Sequence, residues 1–136
     1  MIDIAKLLQK GESETVEFKT AWNKDCLKII AAFANTQGGT LLVGIDDDGN
    51  VVGWNGSDQE QQAIATRLGN KLPIQPSLAV AEKEGQRVLV VTVDEAHGMA
   101  VPYESRYYRR IGCTTQEVPP EQLGQFLLER TGQSWD

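Results

Sequence analysis

The sequence predicts an α+β fold, a single domain in which a mixed β-sheet is packed by helices. Two observations carry that expectation. Apolar residues recur at helical spacing in four separate places, and short alternating or continuous apolar runs lie between them, in the order α-β-α-β-β-α-β-β-β-α. No internal repeat, low-complexity stretch or Pro/Ser-rich linker interrupts the chain. Its 136 residues are therefore read as one domain over 1–130 with a C-terminal tail at 131–136.

The elements follow in order. Ile4, Leu7 and Leu8 mark a short helix that Gly11 stops. Thr15–Lys19 alternates, with Val16 and Phe18 on one face and Glu17 and Lys19 on the other, as in a half-buried strand. Asn23 caps a helix that carries Leu27, Ile30, Ala31 and Ala34 on its buried face to about Asn35, and Gly38-Gly39 turns the chain. Thr40–Ile45 is a near-continuous apolar run suited to a central strand covered on both faces. Asp47-Asp48-Gly49-Asn50 reads as a hairpin turn, with Val51-Val52-Gly53 returning as a strand. Ser57-Asp58-Gln59-Glu60 is a capping box for a helix burying Ile64, Ala65 and Leu68, which Pro73 and Pro76 prevent from continuing. Ser77–Ala81 and Arg87–Val93 form strands about the Glu84-Gly85 turn. A loop spans 94–105, Tyr107–Ile111 is a strand, and Pro119-Pro120 starts a last helix carrying Leu123, Phe126 and Leu127.

Composition narrows the function. The net charge is −6, whereas a dedicated duplex-DNA binder is usually basic because phosphate contacts supply much of its affinity. The charge is uneven: residues 1–60 hold 5 Lys/Arg against 10 Asp/Glu, but residues 97–116 hold Arg106, Arg109 and Arg110 against Glu104 alone. Any nucleic-acid surface must therefore be local. No apolar run is long enough to span a membrane, and the first residues lack the basic, apolar and cleavage regions of a secretory signal. With Cys26 and Cys113 far apart and His97 the sole histidine, no zinc-type cluster is expected. Both cysteines are read as free, and a reducing cytoplasmic setting is expected.

Three segments are similar, in order and spacing, to motifs of the Schlafen-type Alba-like domain family: Gly11-Glu12-Ser13-Glu14-Thr15-Val16-Glu17-Phe18-Lys19, Ala32–Gly49 with its Phe33-Ala34-Asn35-Thr36-Gln37-Gly38-Gly39 centre, and Tyr107-Tyr108-Arg109-Arg110-Ile111-Gly112-Cys113-Thr114-Thr115. The match covers roughly residues 7–118, with Cys113 where the family usually has serine. The resemblance implies an Alba-like fold and binding of nucleic acid, either RNA or single-stranded DNA. From Schlafen proteins that cut RNA, it also implies a three-carboxylate metal site at Glu12, Glu17 and Asp46. Hard oxygen ligands suit Mg²⁺ or Mn²⁺, which can activate water and stabilise a phosphoryl transition state. Glu12 and Glu17 are an odd number of residues apart, so they converge only if Gly11–Glu14 is a turn. The structural alternatives are that Glu12 braces a loop, Glu17 pairs with a cation and Asp46 holds the hairpin through an Asx turn.

The expected nucleic-acid contacts are Lys19, Arg106, Tyr107, Tyr108, Arg109 and Arg110. Arginine matches phosphate with a bidentate fork, and tyrosine stacks on unpaired bases. Arg110 has an internal alternative as partner of Glu17 or Asp46, and Lys19 one as a cation beside Glu17. Three functions stay open: a nucleic-acid-binding domain, a Mg²⁺- or Mn²⁺-dependent ribonuclease, and a regulatory domain meeting a partner protein. A homo-oligomer is compatible with all three. Gly38-Gly39 is not part of any phosphate-loop motif, Asp46–Gly49 lacks the remaining ligands of a calcium loop, and His97 has no evident catalytic partner.

Overall fold

The computed structural model describes residues 3–132; positions 133–136, most of the expected tail, lie outside the described residues. In chain order the elements are α1 (Ile4–Lys10), β1 (Val16–Lys19), α2 (Lys24–Ala34), β2 (Gly39–Val43), α3 (Asp58–Lys71), β3 (Ser77–Lys83), β4 (Gln86–Val93), β5 (Pro102–Tyr103), β6 (Arg106–Ile111), β7 (Thr114–Glu117) and α4 (Pro120–Thr131). The α+β expectation holds, but the strands form two sheets. One has the order β1-β2-β4-β3 and the other β5-β6-β7. The first is mixed: β1 runs parallel to β2, and the remaining pairs are antiparallel.

Strand β2 lies between β1 and β4, and both its faces are covered, which explains its continuous apolar sequence. Leu41 and Val43 join Leu89 and Val91 against α2 and α3 in the larger core, while Leu42 joins Val16, Phe18, Val88 and Val90 beneath α1. All nine residues that best represent the apolar periodicity are buried: Leu27, Ile30, Phe33, Leu42, Val43, Ile45, Leu89, Val91 and Phe126. Ala65, expected on the buried face of α3, is exposed, because only Ile64 and Leu68 of that helix reach the core.

The side chains of Asn23 and Ser57 cap α2 and α3 as expected, accepting from the backbone N–H of Asp25 and Glu60. Three expectations change. The return strand 51–53 is reduced to a single bridge between Ile45 and Val51, since Val52 and Gly53 both donate to the Gly44 carbonyl and the positive φ of Gly44 and Gly53 breaks the regular ladder. The two-residue strand β5 falls within the expected loop, and β7 is a polar, mostly exposed edge with no apolar alternation to announce it.

The second sheet is pinned to α2 by buried polar contacts. Asn35 donates from Nδ2 to the carbonyls of Val101 and Tyr108, and its Oδ1 accepts from the N–H of Val101. Thr36 Oγ1 accepts from the N–H of Arg110. Gly39 packs where a Cβ would come within 2.6 Å of the Phe33 ring. The Phe33–Gly39 motif is therefore a joint between helix, first sheet and second sheet. Among the described residues, no helix is long and apolar enough to cross a membrane.

Candidate functional site

The joint brings β1, the first turns of α2, β6 and β7 around one cleft of about 330 Å³, lined by Glu17, Lys19, Asp25, Lys28, Tyr108 and Thr115 among others. Glu17 and Lys19 reach it because β1 buries Val16 and Phe18 on its opposite face. Lys28 lies over the Tyr108 ring, 5.7 Å from its centroid, and 3.8 Å from the carboxylate of Asp25.

Behind Glu17 lies Arg110, whose side chain is fully enclosed. Its Nη1 donates to Glu17 Oε1 at 2.7 Å and to Thr115 Oγ1, its Nη2 to the carbonyls of Ser13 and Val16, and its Nε to the carbonyl of Glu14. Its guanidinium carbon also sits 4.8 Å from the Phe33 ring centroid. Every nitrogen of the fork is occupied, so Arg110 anchors the 13–17 turn to the second sheet and is not a surface contact for phosphate. Tyr108 is likewise buried and offers the cleft only part of its ring.

The Gly11–Glu14 turn required for convergence is present. Gly11 has φ 81°, and Ser13 bridges back to Val16. Glu12 consequently folds against β1, where its Oε2 accepts from the N–H of Phe18 at 3.0 Å. Burial, first, and then the Glu12 carboxyl beside it push Glu17 up to about 7, against the opposing pull of Arg110. Arg110, rather than Lys19, is the cation that acts on this carboxylate.

Asp46 does not join the pair. Its Oδ1 accepts from the N–H groups of Asp48 and Asn50, and its Oδ2 from the Asn50 side chain. Those donors, led by the Asn50 backbone, hold its carboxyl below the usual range. This is the Asx-turn role. Among the described residues, no three His, Cys, Asp or Glu side chains are grouped so as to hold a metal.

The remaining expected contacts lie on the second sheet, away from the cleft. Arg106 Nη1 donates to both carboxylate oxygens of Glu117, at 3.0 and 3.2 Å. Arg109 donates to Gln122 of α4, and Tyr107 packs on Phe126 with ring centroids 5.9 Å apart. The residues that sequence reasoning missed are Lys28, Thr115 and Asn35. Lys28 was visible only as a polar position on an amphipathic helix, and Thr115 as part of a motif end.

The sequence pattern of the family described as Schlafen, AlbA_2 matches residues 12–119. Among solved structures, the DIP2311 protein from Corynebacterium diphtheriae is similar in fold, with TM-score 0.69 and 21% identity over 88% of this chain. This chain spans 28% of that protein's length. The N-terminal domain of a RecG-related protein from Nitrosomonas europaea, named for its relation to an ATP-dependent DNA helicase, has TM-score 0.64 and 27% identity, covering 88% of this chain and 95% of that domain. No curated protein matches the chain. The matched segment holds the Glu12–Glu17 turn, the Phe33–Gly39 joint and the Arg110 anchor, and the chain belongs to the Schlafen AlbA_2 family.

Proposed function

We propose that the domain binds single-stranded nucleic acid, RNA or DNA, with phosphates meeting Lys19 and Lys28 at the Glu17 cleft. The observation that carries this reading is that two lysines line one cleft in a protein of net charge −6. Lysine is a compact point charge suited to phosphate, and the hydroxyl of Thr115 adds a donor beside it. Membership of the Schlafen AlbA_2 family and the likeness to a domain of a helicase-related protein support it. The acidic remainder repels a polyanion, so affinity depends on these local contacts and falls as salt rises. The test is titration of labelled single-stranded and duplex oligonucleotides with the protein at several salt concentrations. Salt-sensitive binding of single strands is expected, and no binding at low salt would reject the reading.

The Glu12–Glu17 pair favours a second reading, metal-dependent cleavage of the bound strand. Mg²⁺ often uses one or two carboxylates and completes its shell with water and substrate phosphate, so two ligands suffice without Asp46. The raised proton affinity of Glu17 comes first from burial and then from the Glu12 carboxyl beside it, and a bound cation opposes both. Glu12 and Glu17 would hold Mg²⁺ or Mn²⁺, and the ion would activate water for attack on phosphorus. Cleavage abolished by chelator and by Glu12→Gln or Glu17→Gln is expected; cleavage surviving these changes would exclude the mechanism.

A further inference from the structure

The connection between β1 and α2 borders two cavities. Lys19 and Asp25 line the Glu17 cleft, while Thr20 to Trp22 line a second cavity of about 670 Å³ whose far walls are Trp54, Asn55 and the Glu60–Arg67 stretch of α3. Trp54 is a fixed wall. It is buried, the Arg87 guanidinium lies 5.3 Å from its ring centroid, and Gly56 passes so close that a Cβ there would stand 2.0 Å from the indole. Trp22 is only half-buried, so part of its indole remains available to the cavity. Arg67 is exposed at the rim and has no ion-pair partner among the described residues. Glu60 and Asn55 add an acceptor and an amide, both exposed.

We infer that this second cavity receives one unpaired base of the same strand whose phosphates meet Lys19 and Lys28, an inference that rests on the nucleic-acid reading above. Trp22 and Arg67 line the same cavity, and an indole face with a guanidinium in one cavity is the combination that stacks a base and holds its flanking phosphate. The Glu60 carboxylate accepts from a base edge that presents N–H donors. It therefore favours guanine, which offers adjacent donors at N1 and N2, over bases presenting acceptors there. A strand crossing the short 20–23 connection passes from one cavity to the other without leaving the surface.

The test uses the full chain and short single-stranded oligonucleotides of one length: guanine-bearing, uracil-bearing and abasic. Wild type is expected to bind the guanine strand best and the abasic strand about tenfold more weakly. Trp22→Ala is expected to lose a similar factor on the guanine strand and nothing further on the abasic one. Trp22→Phe, which retains an aromatic face, keeps most of the affinity and guards against a folding defect. Arg67→Ala, on an exposed helix face, is expected to weaken binding and lower its salt slope. Salt-sensitive binding that ignores the bases and both residues would overturn this inference while leaving the nucleic-acid reading intact. Failure of wild type to bind any strand would overturn both.

Discussion

Arg110 Nη1 and Glu17 Oε1 stand 2.7 Å apart, joining positions ninety-three residues apart in the chain and fixing the 13–17 turn to the second sheet. The same guanidinium holds three backbone carbonyls of that turn. The position of the Glu17 cleft thus depends on one enclosed cation. Replacing Arg110 by alanine removes the cation from Glu17 and the donor from the Glu14 carbonyl, and leaves the Ser13 and Val16 carbonyls only the backbone N–H groups of Val16 and Ser13. A loss of about 3–5 kcal/mol in denaturant unfolding is expected. Arg110→Lys should recover only part of it, because one ammonium cannot reproduce the fork. A loss below about 1 kcal/mol, the scale of a surface ion pair, would contradict this role.

Glu17 provides a pH-dependent test. Its carboxyl titrates near 4.5 ordinarily and at about 7 in the folded protein, so the folded state holds the proton more tightly. Its contribution to stability is complete below pH 4.5 and is lost as pH rises towards 7. The stability difference between wild type and Glu17→Gln should therefore move against wild type across that interval, by at most about 3 kcal/mol. Urea unfolding of both proteins at several pH values measures it. A difference that does not change with pH would show that the proton affinity of Glu17 is ordinary.

Asn35 is buried with both ends of its amide in use. Asn35→Ala should cost at least about 2 kcal/mol, since it strands two carbonyls and an N–H. Asn35→Asp should be worse, because its carboxylate would face the carbonyls of Val101 and Tyr108 with no proton to donate. Wild-type-like stability of either variant would remove Asn35 from the joint.

Much of this architecture is legible in the sequence, and the failures have physical causes. The helix caps at Asn23 and Ser57 and the covered strand β2 follow from local chemistry and apolar periodicity. Strand β7 escapes because Thr114-Thr115-Gln116-Glu117 carries no apolar face, and β5 because two residues have no period. The Glu12–Glu17 convergence was readable as a condition on the Gly11–Glu14 turn, and that turn exists. Asp46 shares a motif with the joint, but its own backbone neighbours satisfy it. Arg110 looks like a phosphate ligand in sequence only because its enclosing partners lie at positions 13–17, far away in the chain.

The arginines of the second sheet must accordingly be tested without disturbing Arg110. Arg106 and Arg109 already have partners in Glu117 and Gln122. Their joint replacement by alanine should weaken nucleic-acid binding less than replacement of Lys19 and Lys28. The reverse order, in variants with wild-type unfolding midpoints, would move the interface from the Glu17 cleft to the Arg106 and Arg109 positions of β6.

The central claim is most directly tested by the salt dependence of single-strand binding in wild type and in the Lys19→Ala/Lys28→Ala double variant. Each phosphate contact to a single strand contributes about 0.7 to the slope of log affinity against log salt. The double variant is expected to bind more weakly at low salt, with a slope shallower by about 1.4 and unchanged stability. Equal affinity and equal slope in the two proteins would contradict binding at the Glu17 cleft.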